Sequence, residues 1–369
     1  MNQLFRWDQM GLFLLALAAG ILPFAVPEVC AAALREGLTL CSGPLLLSLF
    51  PFLVVSRLLI QCPESDLLAL PFRLAAWGIG IRTPCAARVL CIGFLGGFAP
   101  AASAAAQAVR TGQLTAEEAD ALLPACICSG PSFVVLTVGQ SLLGSAELGV
   151  LLFASQITAN YLTAALLNRF AGVHSVKPGS AAPASPAPPR LDEILADAAI
   201  TYCKLCGFIL FFRMLAAGAG ALLPAGAGTL CAILLEVCSG CDLASRTGRW
   251  GSLLCCAALS VQGLSVLLQV RTICPPEMTL RPLYRSRLLH LPLSLALFYL
   301  LLPGGEADVF STLPARVLLM RRVPPDCALL VFAVCCMAAC TLRSGIRQVE
   351  QKQMARNAGG CCINSKTLL

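Results

Sequence analysis

Residues 230–245 read LCAILLEVCSGCDLAS. Such an apolar run suits a lipid bilayer, but a crossing helix needs about 20 apolar residues at roughly 1.5 Å of rise each. Extended back to Gly226 the run is still short, and an acid, Glu236, stands near its centre with Gly240 just behind it. A carboxylate in hydrocarbon is costly, so it must face a cavity, a partner or bent backbone. The pattern predicts a hairpin that enters the membrane, breaks near Glu236 and returns to its own side. Two readings of Glu236 stay open. Either it accepts hydrogen bonds from backbone N–H groups in the bend, or it contacts a substrate or coupling ion.

The flanking sequence has the same character. The whole chain is 58% hydrophobic and 12% charged, about half the usual charged fraction of a soluble domain. Its mean hydropathy is +0.81. No aqueous fold absorbs that much apolar surface, so the surrounding solvent must be lipid. Apolar runs fall at 10–27, 38–60, 86–109, 121–144, 146–168, 199–223, 226–244, 250–270, 288–302 and 327–342. The first has only Arg6 ahead of it, and no small-residue cleavage site is followed by a polar mature domain, so it reads as a retained helix rather than a signal peptide. The 86–109 run is interrupted by Gly96, Gly97 and Pro100 and predicts a second hairpin. The expected fold is an all-α polytopic membrane protein with about eight crossings plus two re-entrant hairpins.

The net charge of +7 is spread in short clusters between apolar runs, which reads as topology signals rather than a nucleic-acid face. With the N-terminus inside and both hairpins re-entrant, Arg35, Arg246, Arg249, Arg316, Arg321 and Arg322 lie outside, and Lys204 and Arg213 lie in the membrane. Every other Lys and Arg is then cytoplasmic, a clear positive-inside bias. The rival topology, with every run crossing fully, would place the 174–190 linker and its basic residues outside.

That linker, which contains KPGSAAPASPAPPR, is too rich in Pro, Ala and Ser to bury a core. It divides the chain into 1–85, with N-terminal helices and a basic loop, a first repeat at 86–170, the linker at 171–192, a second repeat at 193–303, and a last helix with a basic tail at 304–369. The halves look related. Each has an Arg-Thr-Gly turn, at Arg110 and at Arg246, followed by an apolar run broken in its middle, at Ser129-Gly130-Pro131 and at Gln262-Gly263-Leu264-Ser265. The hairpins emerge on opposite sides, so the halves would be inverted copies, and broken helices meeting near the midplane are a transporter architecture.

Other residues carry weaker signals. Arg213 sits mid-helix in ILFFRMLAAG, placed to pair with Glu236 or attract an anion, whereas Lys204 lies near a boundary and can snorkel. Gly130 and Pro131 free backbone carbonyls that neighbours, water or a ligand must satisfy. Gln262, Ser265 and Gln269 place polar side chains along the second broken run. Thr115 and Glu118 form a capping box without chemistry, and Arg285 and Arg287 read as a cytoplasmic anchor. The 21 cysteines lie mostly in apolar runs, where Cys packs as a small hydrophobe. The pairs Cys203/Cys206 and Cys238/Cys241 have metal-ligand spacing, but the chain has only two histidines and zinc is not expected. No phosphate-cradling loop, nucleophile elbow or ligand cluster points to an enzyme, and no cofactor, metal or nucleic-acid partner is expected.

The stretches GFAPAASAAAQAVRTGQLTAEEADALL, CSGPSFVVLTVG, LLEVCSG and QGLSVLLQV resemble the YlbJ-like sporulation integral membrane proteins. These belong to the nucleoside-recognition Gate group, with concentrative nucleoside transporters and spore maturation proteins. The resemblance implies a bacterial spore former and a multi-pass protein of the cell or forespore membrane. It also implies a small anionic solute of the dipicolinate type as cargo, with membrane lipid and a coupling ion as further partners. Carried over by position, the implied substrate site is Gly97, Ser129, Gly130, Pro131, Glu236, Gly240, Gly263, Ser265 and Gln269, to which Arg213 is added as the mid-helix cation. The chain departs from the family pattern at Gly97-Phe98-Ala99-Pro100-Ala101-Ala102-Ser103, where Ser103 replaces a lysine, and at Ile127 and Cys128, which replace an Asn pair. A non-transporting membrane scaffold and a nucleoside permease are the alternative functions.

Overall fold

The computed structural model describes residues 2–61, 65–171 and 190–302. Among these the chain is helical almost throughout, with no strand. The expected 327–342 crossing, the basic tail and most of the linker lie outside the described residues.

The first half begins with α1 (Asn2–Ala25), α2 (Pro27–Ser42) and α3 (Pro44–Gln61). Proline opens both α2 and α3, and its missing N–H ends the preceding hydrogen-bond ladder. The segments Phe13–Ala25 and Pro27–Ser42 consequently meet at 109°. The sequence places one crossing at 38–60; the structure divides that stretch at Gly43 and gives its first residues to α2. Two short helices, α4 (Ser65–Leu68) and α5 (Leu70–Gly78), lead to α6 (Pro84–Gly96), α7 (Phe98–Arg110) and α8 (Ala116–Cys126). A π-helical segment, Ser132–Leu142, and α9 (Ala146–Ala171) complete the half.

The second half consists of α10 (Leu191–Leu222), the pair α11 (Ala225–Leu235) and α12 (Val237–Ser245), the pair α13 (Gly251–Val261) and α14 (Gly263–Ile273), and α15 (Arg281–Leu301). Among the described residues, α9, α10 and the run Gly248–Ile273 are long and apolar enough to cross a bilayer, and the bent α1–α2 pair qualifies if counted as one span.

Each of the two runs read as a hairpin is a pair of short helices, α6–α7 and α11–α12. Arg88, in the first turns of α6, donates to Gln113 Oε1 (2.8 Å) just past α7 and to the Ile60 carbonyl (2.7 Å), so the two ends of this pair lie together beside the end of α3. The ends of α11–α12 lie beside the C-terminal part of α10, where Gly228 packs on Gly220 and Leu243 lies against the same glycine. The two pairs close with the same turn. Thr111 and Thr247 return their hydroxyls to carbonyls of the preceding helix, and Gly112 and Gly248 follow at φ of 69° and 65°.

Packing is that of a protein in lipid. Seven alanines of α7 are buried, which lets α3, α6, α8 and α14 approach its backbone closely. On α9 the buried face carries Gln156, Asn160, Thr163 and Asn168, at helical spacing, while Val150, Leu162 and Leu166 point outward. This is the reverse of a water-soluble amphipathic helix. The polar stripe works: Asn168 donates to the carbonyls of Ile79 (2.9 Å) and Ala121 (3.1 Å), and Gln156 donates to Ser260 Oγ (2.9 Å). Phe24, Leu74, Phe170, Leu288 and Leu300 are exposed on the outer surface. The chain is an all-α membrane protein.

Two sequence expectations are corrected. Arg287 is no anchor: it is buried and donates to Asn160 Oδ1 (3.2 Å) and the Ser260 carbonyl (3.4 Å). Because α15 starts at Arg281, residues 283, 286, 287 and 290 share the face turned to α9 and α13, while Arg285 stays exposed. Arg213 does not pair with Glu236. It reaches Glu36 of α2 at 2.6 Å, while the neighbouring Gly37 lets Leu210 of α10 pack close against α2. Most of the described cysteines, among them Cys30, Cys85, Cys126, Cys128, Cys241 and Cys256, are buried in the packing, whereas Cys203 is exposed and Cys206, Cys231 and Cys238 are half-buried.

Candidate functional site: a cavity where the broken helices meet

The first helix pair turns at Gly97, at φ 82° and ψ −164°, a conformation that a side chain strongly disfavours. A Cβ there would also stand 2.7 Å from the Gly130 nitrogen. Gly97 and Gly130 therefore let the hairpin tip cross the break between α8 and the π-helical segment at backbone contact. That break follows from sequence, since Gly130 and Pro131 cannot continue the α8 ladder.

The second pair turns at Glu236, which is extended (φ −152°, ψ 126°) and only 2% exposed. Its carboxylate caps α12, accepting from Cys238 N (2.8 Å), Ser239 N (2.7 Å) and Ser239 Oγ (2.9 Å). Of the two readings of Glu236, the backbone one is thus present in the structure, and the helix dipole adds to it. Gly263, at φ 69°, lies against this tip, where a Cβ would come within 2.9 Å of the Glu236 nitrogen. Each hairpin tip therefore rests on the broken helix of its own half, with a glycine at the crossing.

The two breaks also meet each other. Gln262, left-handed at φ 65°, donates from Nε2 to the Leu259 carbonyl (2.7 Å) and to Ser129 Oγ (3.4 Å). Between the breaks lies a cavity of about 70 Å³, lined on its polar side by Ser129, Gly130, Ser132, Glu236 and Gln269 and elsewhere by apolar residues such as Phe52, Phe98 and Ile209. At roughly 10–15 Å³ of such space per water, it holds a few waters or the head of a small solute.

The carried-over residues divide by what they touch. Ser129, Gly130, Glu236 and Gln269 line the cavity. Gly97 and Gly263 form the crossings, and Pro131 precedes the π-helical segment. Ser265 accepts from Gln269 Nε2 (2.9 Å) and fixes that amide, leaving Gln269 Oε1 buried with no partner among the described residues and open to a donor. Gly240 sits apart, packed on Ile233, where it lets α11 and α12 close. Arg213 is absent from the lining, held by Glu36.

Sequence reasoning missed Asp120. It is buried on α8 and accepts from Thr279 N (2.8 Å), Thr279 Oγ1 (2.6 Å) and Leu280 N (3.1 Å), clamping the loop before α15 from the opposite half. The signal available was an acid inside ADALLPAC, an apolar setting like that of Glu236. No family model, curated protein or solved structure matches the chain. Chemically the cavity offers one carboxylate, one amide acceptor and hydroxyls, with no cationic side chain in its lining. A negatively charged guest would need a proton or a cation beside Glu236 to offset like-charge repulsion.

Proposed function

We propose that this chain is a transporter-like membrane protein that passes a small anion through the central cavity, with a proton or cation accompanying it at Glu236. The observation that carries this reading is the convergence of the breaks at Gly97, at 127–130, at Glu236 and at Gln262 on one cavity. Interrupted backbone is tolerated at membrane depth only where it is buried in protein or lines a cavity, and transporters bind their solutes at such interruptions.

In this reading the protein has about eight crossings and two re-entrant hairpins in inverted halves. The Arg88–Gln113 hydrogen bond supports hairpins over full crossings: if 86–109 crossed the bilayer, these two residues would lie on opposite sides. Inversion is supported by the ends at which the hairpins open. The first opens beside the end of α3, where Arg57 meets Asp197 near the start of α10; the second opens near the C-terminal end of the same α10. The resemblance to YlbJ-like proteins supports a forespore membrane setting and a dipicolinate-type cargo.

The test is flux. Full-length protein in proteoliposomes is expected to release entrapped dipicolinate above the rate of protein-free vesicles, and Glu236→Gln to reduce that rate at least tenfold. Release equal to that of empty vesicles, or a Glu236→Gln variant as active as the parent, overturns the proposal and favours the scaffold reading. Labelled nucleoside in place of dipicolinate tests the permease alternative.

A further inference from the structure

A second cavity, of about 140 Å³, opens between α3, α7, α10 and α14. It shares no lining residue with the central one. At its floor lies Arg57, with a side chain only 9% exposed. This guanidinium is already committed, donating to Asp197 Oδ2 (2.5 Å), Ser103 Oγ (3.3 Å) and Thr201 Oγ1 (3.3 Å). Around the rim stand Arg110 and Lys204, both exposed, with the Thr272 hydroxyl near them. Neither rim cation has a hydrogen-bond or ion-pair partner among the described residues, in contrast to Arg57, Arg88, Arg213 and Arg246, which all pair with carboxylates. Three cations thus line the cavity with a single carboxylate, and that carboxylate, on Asp197, is 61% exposed and screened by solvent.

The cavity's place in the fold gives this charge a direction. Arg57 follows Phe52 on α3, Lys204 precedes Ile209 on α10, and Thr272 follows Gln269 on α14, and the second member of each pair lines the central cavity. At roughly 1.5 Å per residue these offsets are about 5–8 Å along three shared helices. The basic cavity is therefore stacked on the central one. Low-dielectric walls around charge of one sign concentrate ions of the opposite sign.

We propose that this basic cavity is an oxyanion-binding site at the mouth of the central cavity, with Arg110 and Lys204 as the groups that take the ligand and Arg57 as the fixed positive floor. Its ligand is either a dissolved oxyanion or the phosphate of an anionic phospholipid headgroup, which share the same chemistry. The claim concerns binding alone and stands apart from the transport reading: a protein that moves nothing and still holds phosphate here would overturn only that reading.

The experiment uses the full chain in nanodiscs of phosphatidylcholine, with and without phosphatidylglycerol. Inorganic phosphate, titrated at constant ionic strength against chloride, is expected to raise the melting temperature in the phosphatidylcholine discs. The double variant Arg110→Gln/Lys204→Gln should weaken phosphate binding at least tenfold while melting at the parent temperature without phosphate, because neither side chain supports the fold. If instead phosphatidylglycerol is retained through purification in a phosphate-displaceable way, and the variant loses it, the headgroup is the ligand. Absence of both forms of binding, or binding undiminished in the double variant, overturns the site.

Discussion

Gly97 combines two demands that a single substitution separates. Its positive φ disfavours any side chain, and its Cβ direction points at the Gly130 backbone. Gly144 shares the first demand, at φ 76°, but faces open space. Gly144→Ala should therefore cost only about 1 kcal/mol, whereas Gly97→Ala should cost about 3 kcal/mol or more, since backbone cannot rotate away from a 2.7 Å contact. Unfolding of both variants in mixed micelles measures the difference. The crossing of Gly97 on Gly130 was legible as a pair of interrupted runs, and Glu236 as an acid where no acid belongs. Arg287 and Arg57 were not legible as buried groups, since each stands in or near a cluster that reads as an ordinary loop charge; Asp120 left a signal, an acid in an apolar setting, but not its partner. Each of the three acquires its partner from a distant part of the chain: Asn160 for Arg287, Thr279 for Asp120 and Asp197 for Arg57. Charge in sequence reveals cost, but the compensating group is supplied only by tertiary structure.

At the scale of elements, α9 shows how polar residues hold a helix in lipid. Apolar side chains gain nothing by leaving hydrocarbon for one another, so contacts between helices rely on small residues and hydrogen bonds. Asn168→Leu keeps bulk but removes the hydrogen bonds to the carbonyls of Ile79 and Ala121 and the link they make between α9 and the rest of the first half. The expected loss is about 1–2 kcal/mol, read from the midpoint of unfolding in mixed micelles, and Leu162→Ala on the outer face should cost far less. Many helix boundaries followed from hydropathy and from Gly and Pro positions, since both short helix pairs and both broken runs are interrupted where the sequence is. The π-helical register of Ser132–Leu142 did not, because hydropathy does not encode which carbonyl an N–H selects. Nor did α2, whose exposed Glu28 and Arg35 disguise a helix between two prolines.

For the whole molecule, membrane residence was already decided by composition, while the number of crossings was not. Half-length helices folded back on themselves would have the hydropathy of short spans, and contacts such as Arg88 with Gln113 are what support the proposed hairpins. Sidedness is the matching prediction. Single cysteines replacing Arg82, Arg110 and Arg281 in a cysteine-free background should react with a membrane-impermeant maleimide from one side, and those replacing Arg246 and Arg249 from the other. Labelling of Arg82 and Arg110 from opposite faces would refute the hairpin topology.

The polar stripe of α9 has one more consequence, which concerns heat capacity. A soluble domain unfolds with a large positive heat-capacity step because apolar surface meets water. Here the outward Val150, Leu162 and Leu166 already face lipid and remain there when tertiary contacts are lost, and what separates is chiefly amide from carbonyl and glycine from glycine. Calorimetry of the intact protein in bilayers should therefore give a small step per residue and a stability that falls nearly linearly with rising temperature, without the loss on cooling that burial from water imposes.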